Sequence, residues 1–305
     1  AHHPDPRGHD SRGDRGSAVP QEFRLVMGSW SDSRALTRQS WAVLKDNRYL
    51  LAYPVVGIAL AVIPFVVVVP GVLFIASNQN WIGWALVAVG VYLLALVNSI
   101  VQAGLTVSAA AELEGGESSL GHGLGTAMGR LGRLARWAFV SAVVGALISA
   151  LRGNNSGGVV SVIFRNVLAA AADVMWQLIT FFVMPAMMLD DLGMIDAIKK
   201  SASTFKQRWG TQLSGGVRIG GLIGLIAVLP AILALVGGVV LSAIGAWAIG
   251  VPLAVIGLVV LVIAGLVLTA IRGVFSVVLY RYATQGVIEG GFTEQQLAGA
   301  VKVKA

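Results

Sequence analysis

Long apolar runs separated by short polar segments are the main pattern of this 305-residue chain. Three of the runs, at residues 51–76, 81–111 and 219–271, contain no Asp, Glu, Lys or Arg. A helix needs about 20 apolar residues to cross a bilayer, whereas soluble cores rarely supply such lengths without a charge. The pattern therefore predicts a polytopic all-α membrane protein.

The lengths of the runs predict six crossings arranged as three helical hairpins. Residues 51–76 and 81–111 form the first hairpin, and shorter crossings at residues 134–151 and about 170–189 form the second. The run 219–271 would make a single helix of about 80 Å, so it must turn back once. Its turn is predicted near Gly245, Gly250 and Pro252, because Gly and Pro interrupt helices.

The distribution of basic residues predicts the orientation of this bundle. Six crossings place twenty Lys and Arg residues on one side and only Arg152 and Arg165 on the other. Because cytoplasmic loops carry the excess of Lys and Arg, both termini are expected in the cytoplasm of a bacterial-type cell and the protein in its plasma membrane. Tyr and Trp side chains are expected at the two membrane boundaries: Tyr49, Tyr53, Trp137, Trp209, Tyr280 and Tyr282 inside, and Trp81, Trp84 and Trp247 outside.

An acidic residue followed closely by Gly ends each even-numbered crossing, at residues 113–115, 190–193 and 288–290. A basic amphipathic segment leads into the next crossing at residues 120–135 and again at 194–209, and a fainter one precedes the first crossing. We interpret this as an internal repeat. The predicted organisation is a disordered tail (1–30), three units of an interfacial helix and a hairpin (31–114, 115–193, 194–291) and a C-terminal tail (292–305).

Composition limits the chemistry. Only 12% of the residues are charged and 56% are hydrophobic, there is no cysteine, and all four histidines lie outside the predicted crossings. Neither a nucleophile with a base nor a metal-ligand motif is recognisable, so we predict no enzyme activity, no catalytic residue, no metal and no cofactor. The net charge of +7 indicates anionic lipid headgroups rather than nucleic acid, because the basic residues flank apolar runs.

Several short motifs resemble a known family. They are Ser40-Trp41, Leu44-Lys45-Asp46, Leu50-Leu51 before Pro54, Arg130-Leu131-Gly132-Arg133, Phe181-Phe182-Val183 with Pro185, and Ala197-Ile198-Lys199 with Ser201, Phe205 and Trp209-Gly210. From Ser40 onward the chain resembles an uncharacterised family of six-span prokaryotic membrane proteins. More distantly it is similar to the membrane region of some glycerophosphodiester phosphodiesterases. The resemblance implies the topology and carries over no active site.

Polar residues inside the crossings are the intramembrane candidates: Asn98 and Gln102 on the second helix, Asp173 and Gln177 on the fourth, and Arg272 on the sixth. One hypothesis pairs Asp173 with Arg272 inside the bundle, because an unpaired charge in hydrocarbon is costly. The other, which we favour, places Asp173 at the outer boundary and lets Arg272 extend to the inner one.

The sequence is compatible with three functions. The preferred one is a non-enzymatic membrane protein that binds lipid or organises partners at the cytoplasmic face, with Arg130, Arg133, Lys199, Lys200 and Lys206 as headgroup candidates. The second is a transporter or channel for a small solute or lipid, built on the two polar stripes. An intramembrane enzyme is the third and the weakest. Gly-rich helix faces favour packing within the chain, with homo-oligomers or a membrane-protein partner as the alternative; they are Gly220 with Gly224, a small-x-x-x-small pattern, and further Gly237, Gly238, Gly257 and Gly265.

Overall fold

The computed structural model describes residues 45, 48–77, 80–116, 118–152, 159–209, 229–294 and 297, and they are mostly α-helical. A 3-10 turn at Arg48–Leu51 precedes the first helix. The helices are α1 (Ala52–Ala76), α2 (Asn80–Leu113), α3 (Leu120–Gly129), α4 (Leu131–Arg152), α5 (Val159–Thr180), α6 (Val183–Leu189), α7 (Met194–Trp209), α8 (Leu229–Ala243) and α9 (Trp247–Gln285). The all-α prediction is confirmed for these residues.

Five helical segments of the described chain are long and apolar enough to cross a bilayer: Tyr49–Ala76, Trp81–Leu113, Leu131–Arg152, Ser161–Leu189 and Trp247–Gln285. The shortest has 22 residues and spans about 33 Å at 1.5 Å per residue, which matches a hydrocarbon core of about 30 Å. Their outward faces are apolar, as at Val62 and Val66, which are more than half exposed. The chain is therefore a multi-pass helical protein of membrane type.

The sixth crossing remains a prediction. Its start, residues 219–228, lies outside the described residues, and the described part, α8, has 15 residues. The turn between α8 and α9 lies at Gly245, whose φ of 93° is accessible mainly to glycine. Gly250 and Pro252, which were also predicted there, lie instead in the first turns of α9. Pro252 is the sixth residue of α9, so it lies inside the helix, where it removes the hydrogen bond that a residue at this position would donate to the Ala248 carbonyl.

Glycines allow two pairs of neighbouring helices to approach closely. A Cβ atom on Gly83 of α2 would lie 2.7 Å from the carbonyl oxygen of Gly71 in α1. Between α8 and α9, a Cβ atom on Gly238 would lie 2.4 Å from the backbone nitrogen of Ala254, and one on Gly257 would lie 2.7 Å from the carbonyl oxygen of Ala231. Of the predicted glycines, Gly238 and Gly257 thus pack within the chain, whereas a Cβ atom on Gly237 or Gly265 would meet nothing within 4 Å, and Gly220 and Gly224 lie outside the described residues. The three-hairpin plan as a whole stays a prediction.

Buried side chains gather at one end of the long helices. The core there combines residues of α2 around Leu105, all of α6 from Val183 to Met188, and the last turns of α9 around Val277, with α3 and α7 packed against them. We name this the charged end, because Glu114, Asp191 and Arg281 lie at it. The opposite end carries Trp81, Trp84 and Trp247, all exposed as expected for boundary residues.

Two tyrosines depart from that expectation. Tyr53 and Tyr280 were predicted at the membrane boundary, but both are completely buried in the core of the charged end. The Tyr53 hydroxyl lies 2.6 Å from Ser108 Oγ, and the Tyr280 ring lies 5.6 Å from the ring of Phe182. These two rings therefore contact protein at this end of the bundle, because a phenol can satisfy its hydroxyl inside a packed core as well as in the headgroup layer.

Candidate functional site

In each of the three acid–Gly segments, one acidic residue is held by arginine at the charged end. Arg281, near the end of α9, pairs with Glu289 at 2.8 Å and also with Glu114 at the end of α2. Its side chain is 12% exposed, so one largely buried guanidinium joins the ends of the first and third predicted units. An arginine suits this position because its fork of donors can serve two carboxylates at once.

Asp191, the acid of the middle segment, is held by the two arginines at the start of α4. Its carboxylate lies 2.8 Å from Arg133 and 3.0 Å from Arg130. The hydrogen bond from Arg133 and the charge of Arg130 lower the pKa of Asp191 below its ordinary value. Asp191 itself has a φ of 55°, and its backbone carbonyl accepts a second bond from Arg133 at 2.7 Å.

Arg130 and Arg133 were predicted to contact lipid headgroups, and the structure gives them protein partners. Besides Asp191, Arg130 donates to the backbone carbonyl of Met188 at the end of α6. Both side chains remain partly exposed, so headgroup contact stays a prediction for them. The acidic residues of the acid–Gly segment after α6 were the sequence feature that could have indicated a protein partner for these arginines.

Tyrosine hydroxyls contact a second set of acids beside the first. Tyr49 donates to Glu112 at 2.6 Å, and Tyr280 donates to Asp190 at 2.5 Å. Sequence reasoning missed both contacts, because each joins residues at least 63 positions apart. The result is a layer of ion pairs and hydrogen bonds across the charged end.

The structure gives Asp173 a partner other than Arg272. Asp173 Oδ2 lies 3.4 Å from Arg152 Nη2, and both side chains are nearly half exposed. Asp173 is 18 residues before Asp191, about 27 Å along a helix and close to the thickness of the hydrocarbon core. The favoured interpretation, with Asp173 at the outer boundary and Arg272 extending to the inner one, stays a prediction; Arg272 lies exposed on α9.

The two predicted polar stripes do not meet in the described part of the chain. Asn98 and Gln102 lie on α2, which packs against α1, α3, α4 and α9, whereas Gln177 and Asp173 lie on α5, which packs mainly against α4 and α7. Because α4 lies between α2 and α5, the stripes do not line one common path among these helices. Asn98 and Gln177 are exposed, and Gln102 is half-buried.

A groove of about 920 Å³ lies between α1, α2, α4 and α9, within the apolar length of the helices. Its lining is apolar apart from Asn98, Ser141, Ser149 and Thr269, and it includes no charged residue. Asn98 is thus the one predicted intramembrane candidate that lines the groove. The other three polar residues carried no sequence signal, since single Ser and Thr residues are common in membrane helices.

Helix α7 has one face in the core and the other exposed. Ala197, Ser201 and Phe205 are buried. The three lysines of this helix, Lys199, Lys200 and Lys206, are exposed, as is the apolar side chain of Ile195. The exposed face therefore combines basic and apolar groups. The fainter helix predicted before the first crossing lies outside the described residues.

The fold and the charged end define a multi-pass helical membrane protein with a layer of ion pairs at one end. Residues 101–291 match the family described as Family of unknown function (DUF6159), and the chain belongs to this family. The predicted resemblance to an uncharacterised family is thereby confirmed. No curated protein matches the chain, and the predicted likeness to the membrane region of glycerophosphodiester phosphodiesterases gains no support.

Proposed function

We propose that this protein is a non-enzymatic membrane protein that binds anionic lipid headgroups at its charged end. The observation that carries the proposal is the exposed face of α7, where Lys199, Lys200 and Lys206 stand beside exposed Ile195. A helix with basic and apolar side chains on its outer face suits the headgroup layer, where the lysines meet lipid phosphates and the apolar groups meet acyl chains.

The anchoring of α7 supports the same function. Buried Ser201 Oγ accepts a 3.0 Å hydrogen bond from the backbone N–H of Phe182, and buried Phe205 packs 6.3 Å from the Phe182 ring. The helix is thus fixed to the end of the bundle, and its lysines keep a set position. A fixed cationic face loses less conformational entropy on binding than a mobile tail does.

We place the charged end on the cytoplasmic side of the plasma membrane and treat each unit as an interfacial helix with a hairpin. The support is the count of twenty basic residues on that side against two on the other. The cytoplasmic leaflet is the one enriched in anionic lipids, so this orientation places the lysines where their ligand is concentrated. Single cysteines introduced at Gln79, Asn154 and Ala246 should react with an impermeant reagent from outside; reaction only from the cytoplasm would reverse the orientation.

Lipid binding is tested with purified protein in detergent, titrated with phosphatidylglycerol and analysed by native mass spectrometry. Replacing Lys199, Lys200 and Lys206 with Gln should weaken binding by up to about 100-fold, because each lysine near an anionic surface contributes about 1 kcal/mol. The matched control replaces the same residues with Arg and should bind like the wild type. Equal affinity of the Gln and wild-type proteins would contradict the proposal, as would equal binding of zwitterionic phosphatidylcholine.

A further inference from the structure

The groove between α1, α2, α4 and α9 is chemically suited to hydrocarbon. It lies along the apolar length of four helices, and its lining contains neutral side chains only. Its volume of about 920 Å³ is in the range of ligand cavities in proteins. An ion or a charged solute would lose its hydration there without a compensating charge, so the occupant must offer an apolar body.

Small residues keep the groove open. On α4 its wall consists of Ser141, Ala142, Gly145, Ala146 and Ser149. A Cβ atom on Gly145 would meet no other atom within 4 Å, and the same is true of Gly265 on the α9 side. These two glycines therefore differ from the glycines between α8 and α9, which are needed for close packing of helices. Larger side chains would fit without disturbing the fold, yet they would fill the groove.

Asn98 gives the groove a hydrogen-bonding group at a defined depth. It lies 16 residues before Glu114, about 24 Å along α2 from the charged end, and Ser149 of the same groove lies 18 residues after the start of α4, a similar distance of about 27 Å. An amide in that position needs a partner that reaches in from the membrane. The backbone of a neighbouring helix is already paired internally, whereas the ester carbonyl of a lipid is free to accept.

Arg152 continues the α4 wall away from the charged end. Ser141, Gly145 and Ser149 follow one another at intervals of four, and Arg152 is the next residue on that face. Its side chain is 47% exposed, and its contact with Asp173 uses one end of a guanidinium that has five donors. The remaining donors are available for a phosphate at the level of the headgroups.

We propose that this groove binds a glycerophospholipid of the leaflet opposite the charged end, with acyl chain in the groove, an ester carbonyl at Asn98 and the phosphate at Arg152. The site is separate from the α7 lysines and serves the other leaflet, so it goes beyond headgroup binding at the charged end. A second copy of the chain is the competing occupant, and the experiment separates the two.

The experiment uses full-length protein in phosphatidylcholine vesicles that contain a small fraction of phosphatidylglycerol with a photoreactive group on one acyl chain. A second probe is the matching diacylglycerol, which lacks the phosphate. Crosslinks mapped by mass spectrometry should concentrate on residues 91–101, 141–149 and 261–269. Labelling spread evenly over the outer faces of the helices would overturn the proposal without any substitution.

Three variants test the parts of the site. Filling it by Gly145→Leu with Gly265→Leu should reduce groove labelling at least about fivefold, because the new side chains occupy the space of the acyl chain. Gly237→Leu should not reduce it, since Gly237 has equally open surroundings but lies on α8, outside the groove. Asn98→Leu should reduce labelling by both probes about threefold. Arg152→Gln should reduce labelling by the phospholipid about tenfold and leave the diacylglycerol unaffected.

The contrary results are equally specific. Wild-type labelling in the filled variant would overturn the lipid assignment, and so would oxidative disulfide formation between two copies of a Gly145→Cys variant in place of lipid labelling. Equal loss of both probes in Arg152→Gln would overturn the phosphate assignment. The variant with Gln at the three α7 lysines should keep its groove labelling, so failure of headgroup binding at the charged end and failure of this proposal are distinguishable.

Discussion

The hydrogen bond between Phe182 and Ser201 gives a stability prediction that can be worked out from the structure. The helix of the fourth crossing breaks after Thr180 and resumes as α6 at Val183. Pro185 explains the break, because a proline clashes with the carbonyl of the residue four positions earlier and cannot donate to it. The N–H of Phe182, buried at the break, donates to Ser201 Oγ at 3.0 Å.

Ser201→Ala removes the hydroxyl that accepts the hydrogen bond of the buried Phe182 N–H. Both residues are completely buried, so water cannot replace the hydroxyl without a rearrangement. An unpaired buried donor costs about 1 to 3 kcal/mol, and we expect a loss of about 2 kcal/mol in the free energy of unfolding. The control is Ser203→Ala on the same helix, where an exposed hydroxyl bonds only to the Lys200 carbonyl and the expected change is near zero.

Unfolding by SDS in mixed micelles measures the two variants against the wild type. Hydrogen exchange at the Phe182 amide provides a local measurement and should be faster in Ser201→Ala alone. If Ser201→Ala were as stable as Ser203→Ala and the Phe182 amide equally protected, the reasoning would be refuted, because the hydroxyl would then not be the partner on which this N–H depends.

Two further predictions use the same titration. Gly123→Ala should lower the free energy of unfolding by about 1 to 3 kcal/mol, because the new Cβ atom would lie 1.9 Å from the Tyr53 hydroxyl. The control, Gly125→Ala, has open space around it and should be neutral or stabilising. Equal effects of the two substitutions would contradict the close packing of α3 on α2. Asp191→Asn should lower the free energy of unfolding at pH 7 and have a progressively smaller effect below about pH 4. The pKa of Asp191 is lowered in the folded protein, so its ionised form stabilises the fold above the ordinary carboxyl pKa. This contribution disappears as the pH falls through the lower, folded-state pKa. A difference from wild type that is the same at pH 7 and pH 3 would count against the ion pair with Arg133.

The helices themselves were largely predictable, because their signals are local. The charge-free runs gave the first two crossings to within a few residues, as Tyr49–Ala76 and Trp81–Leu113 show. Gly245 was correctly predicted as a turn residue. By contrast, Gly250 and Pro252 were predicted as turn residues for the same reason as Gly245, but they lie inside α9. Their place depends on how α8 packs against α9.

The partners of the polar residues were much less predictable. The sequence predicted either a pair of Asp173 with Arg272 or a position of Asp173 at the outer boundary, and it did not indicate Arg152, because that contact depends on where α4 and α5 lie relative to each other. Arg281 is similar: it holds acids 167 positions before it and 8 after it, and no periodicity within one helix indicates such a contact.

The sequence alone determined that this is a multi-pass helical membrane protein with most of its charge at the ends of its helices, because the cost of placing charge and unpaired backbone in hydrocarbon is large and is decided residue by residue. Only the tertiary structure decided that Tyr53 and Tyr280 are core residues, that Arg130 and Arg133 hold Asp191, and that a neutral groove runs along α4. Between helices, lipid is as apolar as a leucine side chain, so hydrophobicity does not select which faces meet. Small residues and specific polar contacts select them, and both depend on residues far apart in the chain.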